Sequence, residues 1–235
     1  MHTSKLSIAA FIALLSFFFA GKSSAQMDDT MAYKHIEVGA YAGFGASIFN
    51  GTVPDGSKTD IHFPAFDVGA LGIYAFHPFW GVALGIGYDS RGMSFHNQAH
   101  SDQNEDITLN YISIQPSIKF KQFLLGININ IPASAMVKFN PGSGIASISQ
   151  SIGTDMLNML IDIRAEGLLP IVESETGALY LTLNASYCIS DAIGKGGFYT
   201  VGQNFTTAPN PVTKSPIPMA QIGLSYLLAP GGKSH

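Results

Sequence analysis

Apolar and polar side chains alternate with a period of two along most of the chain between residues 36 and 228. In residues 81–91, Val82, Leu84 and Ile86 fall on one side, whereas the other side carries only glycine, alanine and charged residues. A period of two is that of a β-strand, whose successive side chains point to opposite faces. The alternation predicts eight strands, at about 36–47, 65–76, 80–92, 107–120, 123–132, 156–170, 178–189 and 218–228.

The connections between these predicted strands alternate in length. Three are short, at His77–Phe79, Lys121–Gln122 and about 171–177. Four are long and polar, at about 48–64, 93–106, 133–155 and 190–217. Outer-membrane barrels join their strands by tight periplasmic turns and longer extracellular loops in this way. The pattern therefore predicts antiparallel neighbours throughout and both chain ends on the side of the short turns.

The chain is unusually poor in charge. Only 12% of its residues are charged, about half of what is typical of a soluble domain. After residue 25 no apolar run is long enough for a membrane helix, which needs ~20 residues. Alternating strands offer another explanation, because the apolar face of each strand can contact lipid. That outward face is expected to include Leu157 and Met159 at the start of the sixth predicted strand.

Strands in hydrocarbon must pair all their backbone groups, so the last strand is expected to close on the first. The predicted fold class is thus all-β, an eight-stranded antiparallel up-and-down transmembrane β-barrel. Eight strands leave an interior about wide enough for side chains alone. Charges on the inward faces are expected to form ion pairs that fill the lumen. These candidate residues are Glu37, Asp89, Arg91, Lys119, Asp162, Arg164 and Glu166.

The N-terminus has the features of a secretory signal: Lys5, an apolar run from Leu6 to Ala20, and small residues at Ser23 and Ala25. Residues 1–25 are predicted to be a signal peptide, 26–34 a periplasmic segment, 35–229 the barrel and 230–235 a tail. Removal of the signal leaves 10 basic and 16 acidic residues. This charge argues against nucleic acid as a partner, and the single Cys188 excludes an internal disulfide.

Two segments have sequence motifs that resemble those of a known family. Residues 66–92 contain a glycine-marked strand, the turn Phe76-His-Pro-Phe79 and a strand ending in Tyr88-Asp-Ser-Arg-Gly92. They resemble the second hairpin of PorT-like outer-membrane β-barrel proteins, common in Bacteroidetes. Residues 109–119 are similar to that family's Tyr-Leu-x-Ile-Pro-x-x-x-Lys strand, with Pro116 one residue later. The resemblance implies a barrel type and an outer-membrane location rather than an activity. The chain departs from outer-membrane barrels by ending in His235 instead of an aromatic residue.

One predicted loop contains groups that could form a site. His96 and His100 lie near Asp102, Glu105 and Asp106, with Ser94 and Ser101 beside them. Their spacing matches no metal motif, and the Asp-rich stretch lacks the glycine of a calcium loop. A solvated loop is the favoured interpretation. Gly194-Lys-Gly-Gly197 lacks the length of a phosphate-binding loop, and Cys188 is interpreted as a small lumen filler.

The sequence favours a non-enzymatic outer-membrane barrel with a role in envelope integrity or surface interaction. No cofactor is predicted. The predicted partners are outer-membrane lipid, the barrel-insertion machinery and a surface ligand of unknown identity. Three alternatives remain: a narrow channel or small-ligand carrier, an outer-membrane lipid hydrolase acting through a group such as His96, and a secreted lipocalin-type barrel. The last requires a charged exterior, for which the chain carries few residues.

Overall fold

The alternating segments form nine β-strands in a computed structural model that describes residues 35–51, 57–98, 102–142, 144–174, 176–192 and 216–229. The predicted signal peptide, periplasmic segment and C-terminal tail lie outside the described residues. The strands are β1 (His35–Ile48), β2 (Ser57–Ala75), β3 (Trp80–Asn97), β4 (Asn104–Phe120), β5 (Phe123–Asn140), β6 (Ile148–Ile152), β7 (Leu160–Glu173), β8 (Gly177–Cys188) and β9 (Met219–Leu228). Within these ranges, no helix is long and apolar enough to cross a membrane.

Eight of the strands are hydrogen-bonded in a closed ring, in the order β1-β2-β3-β4-β5-β7-β8-β9 and back to β1. Every pair is antiparallel, as the alternating loop lengths predict. The closing pair runs from Val38 opposite Leu228 to Ser47 opposite Met219. Because the ring closes, neither β1 nor β9 keeps a free edge there.

The short connections at 76–79, 121–122 and 174–176 share one end of the ring, which we call the turn end. The opposite end is the loop end. There β6 pairs with Ala135–Phe139 of β5, beyond the residues of β5 that pair with β7. β6 is not a member of the ring, and the sequence pattern did not predict it.

Four strands are longer at the loop end than the pattern predicts. β2 begins at Ser57, β3 ends at Asn97, β4 begins at Asn104 and β5 ends at Asn140. These additions occupy much of the predicted long loops. β7 is shorter and begins at Leu160, after a 3-10 helix at Thr154–Met156.

The two faces of β3, β4 and β5 exchange polarity along the strands. On β3 the outward residues are apolar up to Tyr88 and then become Ser90, Gly92, Ser94 and His96. The inward residues change in the opposite sense, from Asp89 and Arg91 to the buried Met93 and Phe95. β4 and β5 show the same exchange, since Ile107, Leu109, Ala135 and Val137 are buried inside the loop end. The turn-end part of these strands thus has a polar inside, and the loop-end part an apolar one.

The prediction that Leu157 faces outward is wrong. Leu157 follows the 3-10 helix in a single bridge, and its side chain is buried in the apolar cluster at the loop end. Met159, two residues later, is exposed as predicted. The inversion of polarity explains the error, because an apolar residue beyond the exchange level packs inward.

Candidate functional site inside the strand ring

All seven charged residues singled out from the sequence face the interior of the ring. They come from β1, β3, β4 and β7, and six of them are buried. Lys119 is the exception, with 18% of its side chain exposed near the turn end. Strand alternation alone places them there, since each shares the parity of its strand's inward residues.

Arg91 lies between two carboxylates. Its Nε and Nη2 atoms donate to Asp89 at 2.9 and 2.5 Å, and Nη2 also lies 2.8 Å from Oδ2 of Asp162. Asn130 donates to the same Asp162 oxygen at 2.9 Å. All three charged side chains are fully buried. A bidentate guanidinium–carboxylate pair has the geometry of the stronger charge-assisted hydrogen bonds.

Arg164 repeats this arrangement. Its Nη2 lies 2.6 Å from Oε2 of Glu166, and its Nη1 lies 3.7 Å from Oδ2 of Asp67. Gln115 accepts a hydrogen bond from Arg164 and donates one to Asp67 at 3.1 Å. Tyr41 donates to the other oxygen of Asp67 at 3.1 Å. The interior therefore holds two arginines, each between two carboxylates.

Three members of this second group were not singled out from the sequence. Asp67 lies on the strand whose alternation is least regular, because its face also carries Leu71 and Ile73. Gln115 and Tyr41 are uncharged. The parity of their strands was a signal that could have identified all three.

A smaller pair lies near the turn end. Lys119 Nζ is 3.8 Å from Oε2 of Glu37, whose Oε1 is 3.2 Å from Nε2 of His35. The longer distance and partial exposure make this pair weaker than those of Arg91 and Arg164.

Two apolar clusters flank the buried charges. The cluster toward the turn end includes Leu71, Ile73, Leu124, Leu168 and Leu227. The larger cluster at the loop end packs strand residues against the connections, and Cys188 is among its buried members. The residues from the connections are Phe49, Leu157, Ala192 and Ile217. Apolar packing thus lies on both sides of the charged centre.

Paired glycines make room for the second arginine group. Gly69 and Gly87 lie opposite each other on β2 and β3. A Cβ added to Gly69 would lie 2.7 Å from the hydroxyl of Tyr41, and one added to Gly87 would collide with the same hydroxyl. The absence of both side chains lets Tyr41 reach Asp67.

Gly87→Ala is expected to destabilise the fold by about 1–3 kcal/mol, because the added methyl overpacks the interior and displaces Tyr41 from Asp67. Gly72→Ala in the same hairpin is the control, since its Cβ would meet only one atom, at 4.0 Å. Urea unfolding of both variants in detergent micelles gives the comparison. Equal stability of the two variants would contradict this packing of Tyr41 against the paired glycines.

A second polar cluster lies outside the ring, on the outward faces of β2, β3 and β4. Ser94 donates from Oγ to Oδ1 of Asp106 at 2.5 Å, and His62 Nδ1 lies 3.1 Å from the same Oγ. His96 Nδ1 lies 2.6 Å from Oδ2 of Asp60. We call these five residues the outer cluster.

Of the loop residues singled out from the sequence, Ser94, His96 and Asp106 belong to this cluster. Glu105 is buried on the opposite face of β4, and Asp102 is exposed. His100, Ser101 and residues 194–197 lie outside the described residues. Among the residues that the structure does describe, no three His, Cys, Asp or Glu side chains are grouped so as to hold a metal ion.

No protein-family model matches the chain, and no curated protein matches it by sequence. The chain is similar to solved structures of outer-membrane proteins. Ail, the attachment invasion locus protein of Yersinia pestis, is 16% identical, with a TM-score of 0.42, over 82% of this chain and 99% of Ail. Neisserial surface protein A is 9% identical, with a TM-score of 0.36, over 81% of this chain and 95% of that one. OprG from Pseudomonas aeruginosa is 10% identical, with a TM-score of 0.34, over 86% and 97%. Likeness at this level carries no argument about function, and the closed ring rests on the strand pairing itself.

Proposed function

We propose that the chain is a non-enzymatic β-barrel of the Gram-negative outer membrane, with a filled lumen, that serves envelope integrity or surface interaction through its loop end. The observation that carries this proposal is the outward belt. This belt is the band of exposed apolar side chains on the outside of the ring. On β3 it spans the nine residues from Trp80 to Tyr88, and Val82, Leu84 and Ile86 within it are about half exposed. A tilted strand needs about 9–11 residues to cross a bilayer.

The neighbouring strands support the same belt. The outward residues of β4 from Ile112 to Phe120 and of β5 from Phe123 to Ile131 are apolar over equal lengths. Aromatic residues lie at both margins: Trp80 packs on Phe120 with ring centres 4.7 Å apart, and Tyr88 stacks on Phe66 at 5.9 Å. Aromatic rings are enriched at the two interfaces of a membrane.

In this proposal the turn end faces the periplasm and the loop end faces the outside. The signal peptide directs export, and the barrel-insertion machinery places the chain in the membrane. The motifs of residues 66–92 and 109–119 support a PorT-like barrel. The net negative charge of the chain argues against a role in nucleic-acid binding.

The filled interior argues against the narrow channel. Apolar clusters lie on both sides of the buried charges, so an ion would have to cross two packed layers. We expect the protein to be silent in planar lipid bilayers. A steady conductance that disappears on replacing Arg91 or Arg164 would favour the channel instead.

The β5–β6 hairpin offers a test of the surface role. β6 pairs only with β5 among the described strands, and Phe139 lies opposite Ile148, so replacing residues 141–147 by a two-residue turn shortens the tip of the hairpin and leaves the strand pairing intact. Cells that lack the protein are complemented with either form, and entry of a large antibiotic and adhesion to a surface are measured. We expect the full chain to restore at least one property and the trimmed chain, equally abundant in the outer membrane, to restore it less. Full restoration by the trimmed chain would move the role away from this hairpin, and no effect of either form would contradict the proposal.

A further inference from the structure

We propose that the outer cluster, together with Lys58 and Lys138, binds the phosphate-bearing head group of an outer-leaflet lipid. This inference rests on the proposed membrane location and names a partner for the wall just beyond the belt. The outer cluster lies where a head group would be. Ser90, Gly92, Ser94 and His96 continue the same face of β3 that carries Val82–Tyr88. Acyl chains against the belt would therefore bring their head groups beside these residues.

This surface is built by an irregularity of the fold. Between Asp60 and Phe66 the register of β2 against β3 shifts, because β2 carries two more residues than β3 in this stretch. The shift sets the buried His62 against Gly92, where a Cβ would lie 2.5 Å from Nε2 of the imidazole. Ser47 of β1 fills the adjacent gap, and its hydroxyl bonds both backbone groups of Gly92 at 2.9 and 3.0 Å.

The hydrogen bonds of the outer cluster run in a fixed direction. Ser94 has one proton and gives it to Asp106, so His62 must donate from Nδ1 to Ser94. His96 likewise donates from Nδ1 to Asp60. Each carboxylate is thus engaged by a donor of the protein. Within the described part of the chain, neither imidazole forms a hydrogen bond through Nε2.

Positive charge remains beside the cluster. Lys58 lies opposite His96, and Lys138 lies opposite Asp106. Neither ammonium group forms an ion pair with a described residue within 4.0 Å. The carboxylates are already bonded, so the groups left to meet a ligand are the two lysines and the partly exposed imidazole of His96. Cations at a membrane surface favour anionic lipid, and phosphate oxygens accept from such donors.

Native mass spectrometry of the folded protein tests this inference. The protein is equilibrated in detergent micelles with equimolar phosphatidylglycerol and phosphatidylcholine, and the retained lipids are counted. We expect wild type to retain phosphatidylglycerol preferentially. Each lysine is expected to contribute about fivefold to that preference, so K58A/K138A should bring it close to parity. H96A should lower it by a smaller factor.

The control is Lys121→Ala, which removes a cation at the turn end, where Lys121 lies over the ring of Phe79. We expect this variant to keep the wild-type preference. Equal retention of both lipids by wild type, or an equal loss in K121A and K58A/K138A, would overturn the head-group proposal. Adding inorganic phosphate separates the sources: loss of the lipid preference at low phosphate would assign the site to the free ion and overturn a lipid site. A protein that retains neither lipid would also overturn the head-group proposal, whereas failure of the membrane location would show as recovery of the chain in the soluble periplasm.

Discussion

Arg91→Leu is expected to cost about 3–5 kcal/mol of folding free energy, because it breaks a buried charge group by removing its only cation. The guanidinium is fully buried and lies within 2.8 Å of both Asp89 and Asp162. Its removal leaves two buried carboxylates with no cation between them. Urea unfolding of the refolded protein in micelles measures the loss. We expect this variant to unfold at a much lower urea concentration than wild type.

Lys119→Leu is the matched control for this experiment. Lys119 also lies inside the ring and faces a glutamate, but it is partly exposed and its pair is 3.8 Å long. Its replacement should cost less than about 1 kcal/mol. Combining Arg91→Leu with Asp89→Leu and Asp162→Asn should recover much of the loss, because the unpaired charges are removed with their partner. A cost for Arg91→Leu no greater than that for Lys119→Leu would contradict the buried arrangement of Arg91 between its carboxylates.

Leu84→Arg is expected to destabilise the protein in lipid vesicles by about 2–4 kcal/mol, as for an arginine at the bilayer midplane. Leu84 lies midway along the belt of β3 and is 50% exposed. In a water-soluble protein such an exposed site tolerates arginine with little change. The size of the effect therefore reports whether lipid or water covers this face.

Met136→Arg provides the comparison. Met136 faces outward and is 45% exposed, but it lies opposite Thr108 and Ser151, beyond the level at which polarity exchanges. We expect it to cost less than about 1 kcal/mol, since charge near an interface is tolerated. Urea unfolding in vesicles of one composition compares the two variants. Equally small costs would contradict the lipid belt.

The alternation of side chains was enough to predict the β-strands and the inward position of the charged residues. Both follow from a local rule: residues of opposite parity on one strand, such as Leu84 and Asp89, face opposite sides of the sheet. The partner of each charge was not predictable from such a rule. Arg164 of β7 and Asp67 of β2 meet across the ring because the sheet closes on itself, and strand parity carries no information on which levels of the two strands face each other.

The loop-end extensions of the strands could not be read from the same rule. Met93 and Phe95 share the face of Asp89 and Arg91, so an interpretation that assigns one polarity to each face ends the strand at residue 92. The physical cause is a change of surroundings along a single strand. Where lipid covers the outside, apolar residues face out; beyond it they pack inward as in a soluble protein. Three members of the outer cluster, Ser94, His96 and Asp106, were singled out from the sequence, but a solvated loop was the favoured interpretation there. The register shift that brings His62 to Ser94 left no signal in the spacing.

Closure of these strands into a barrel embedded in the outer membrane is tested most directly by migration on SDS gels with and without boiling. The sample is the outer-membrane fraction of cells that produce the full chain. Closure of β1 on β9 predicts that unboiled protein resists the detergent and migrates faster than boiled protein. Recovery of the protein in the soluble periplasm, with the same migration before and after boiling, would contradict a closed barrel in the membrane.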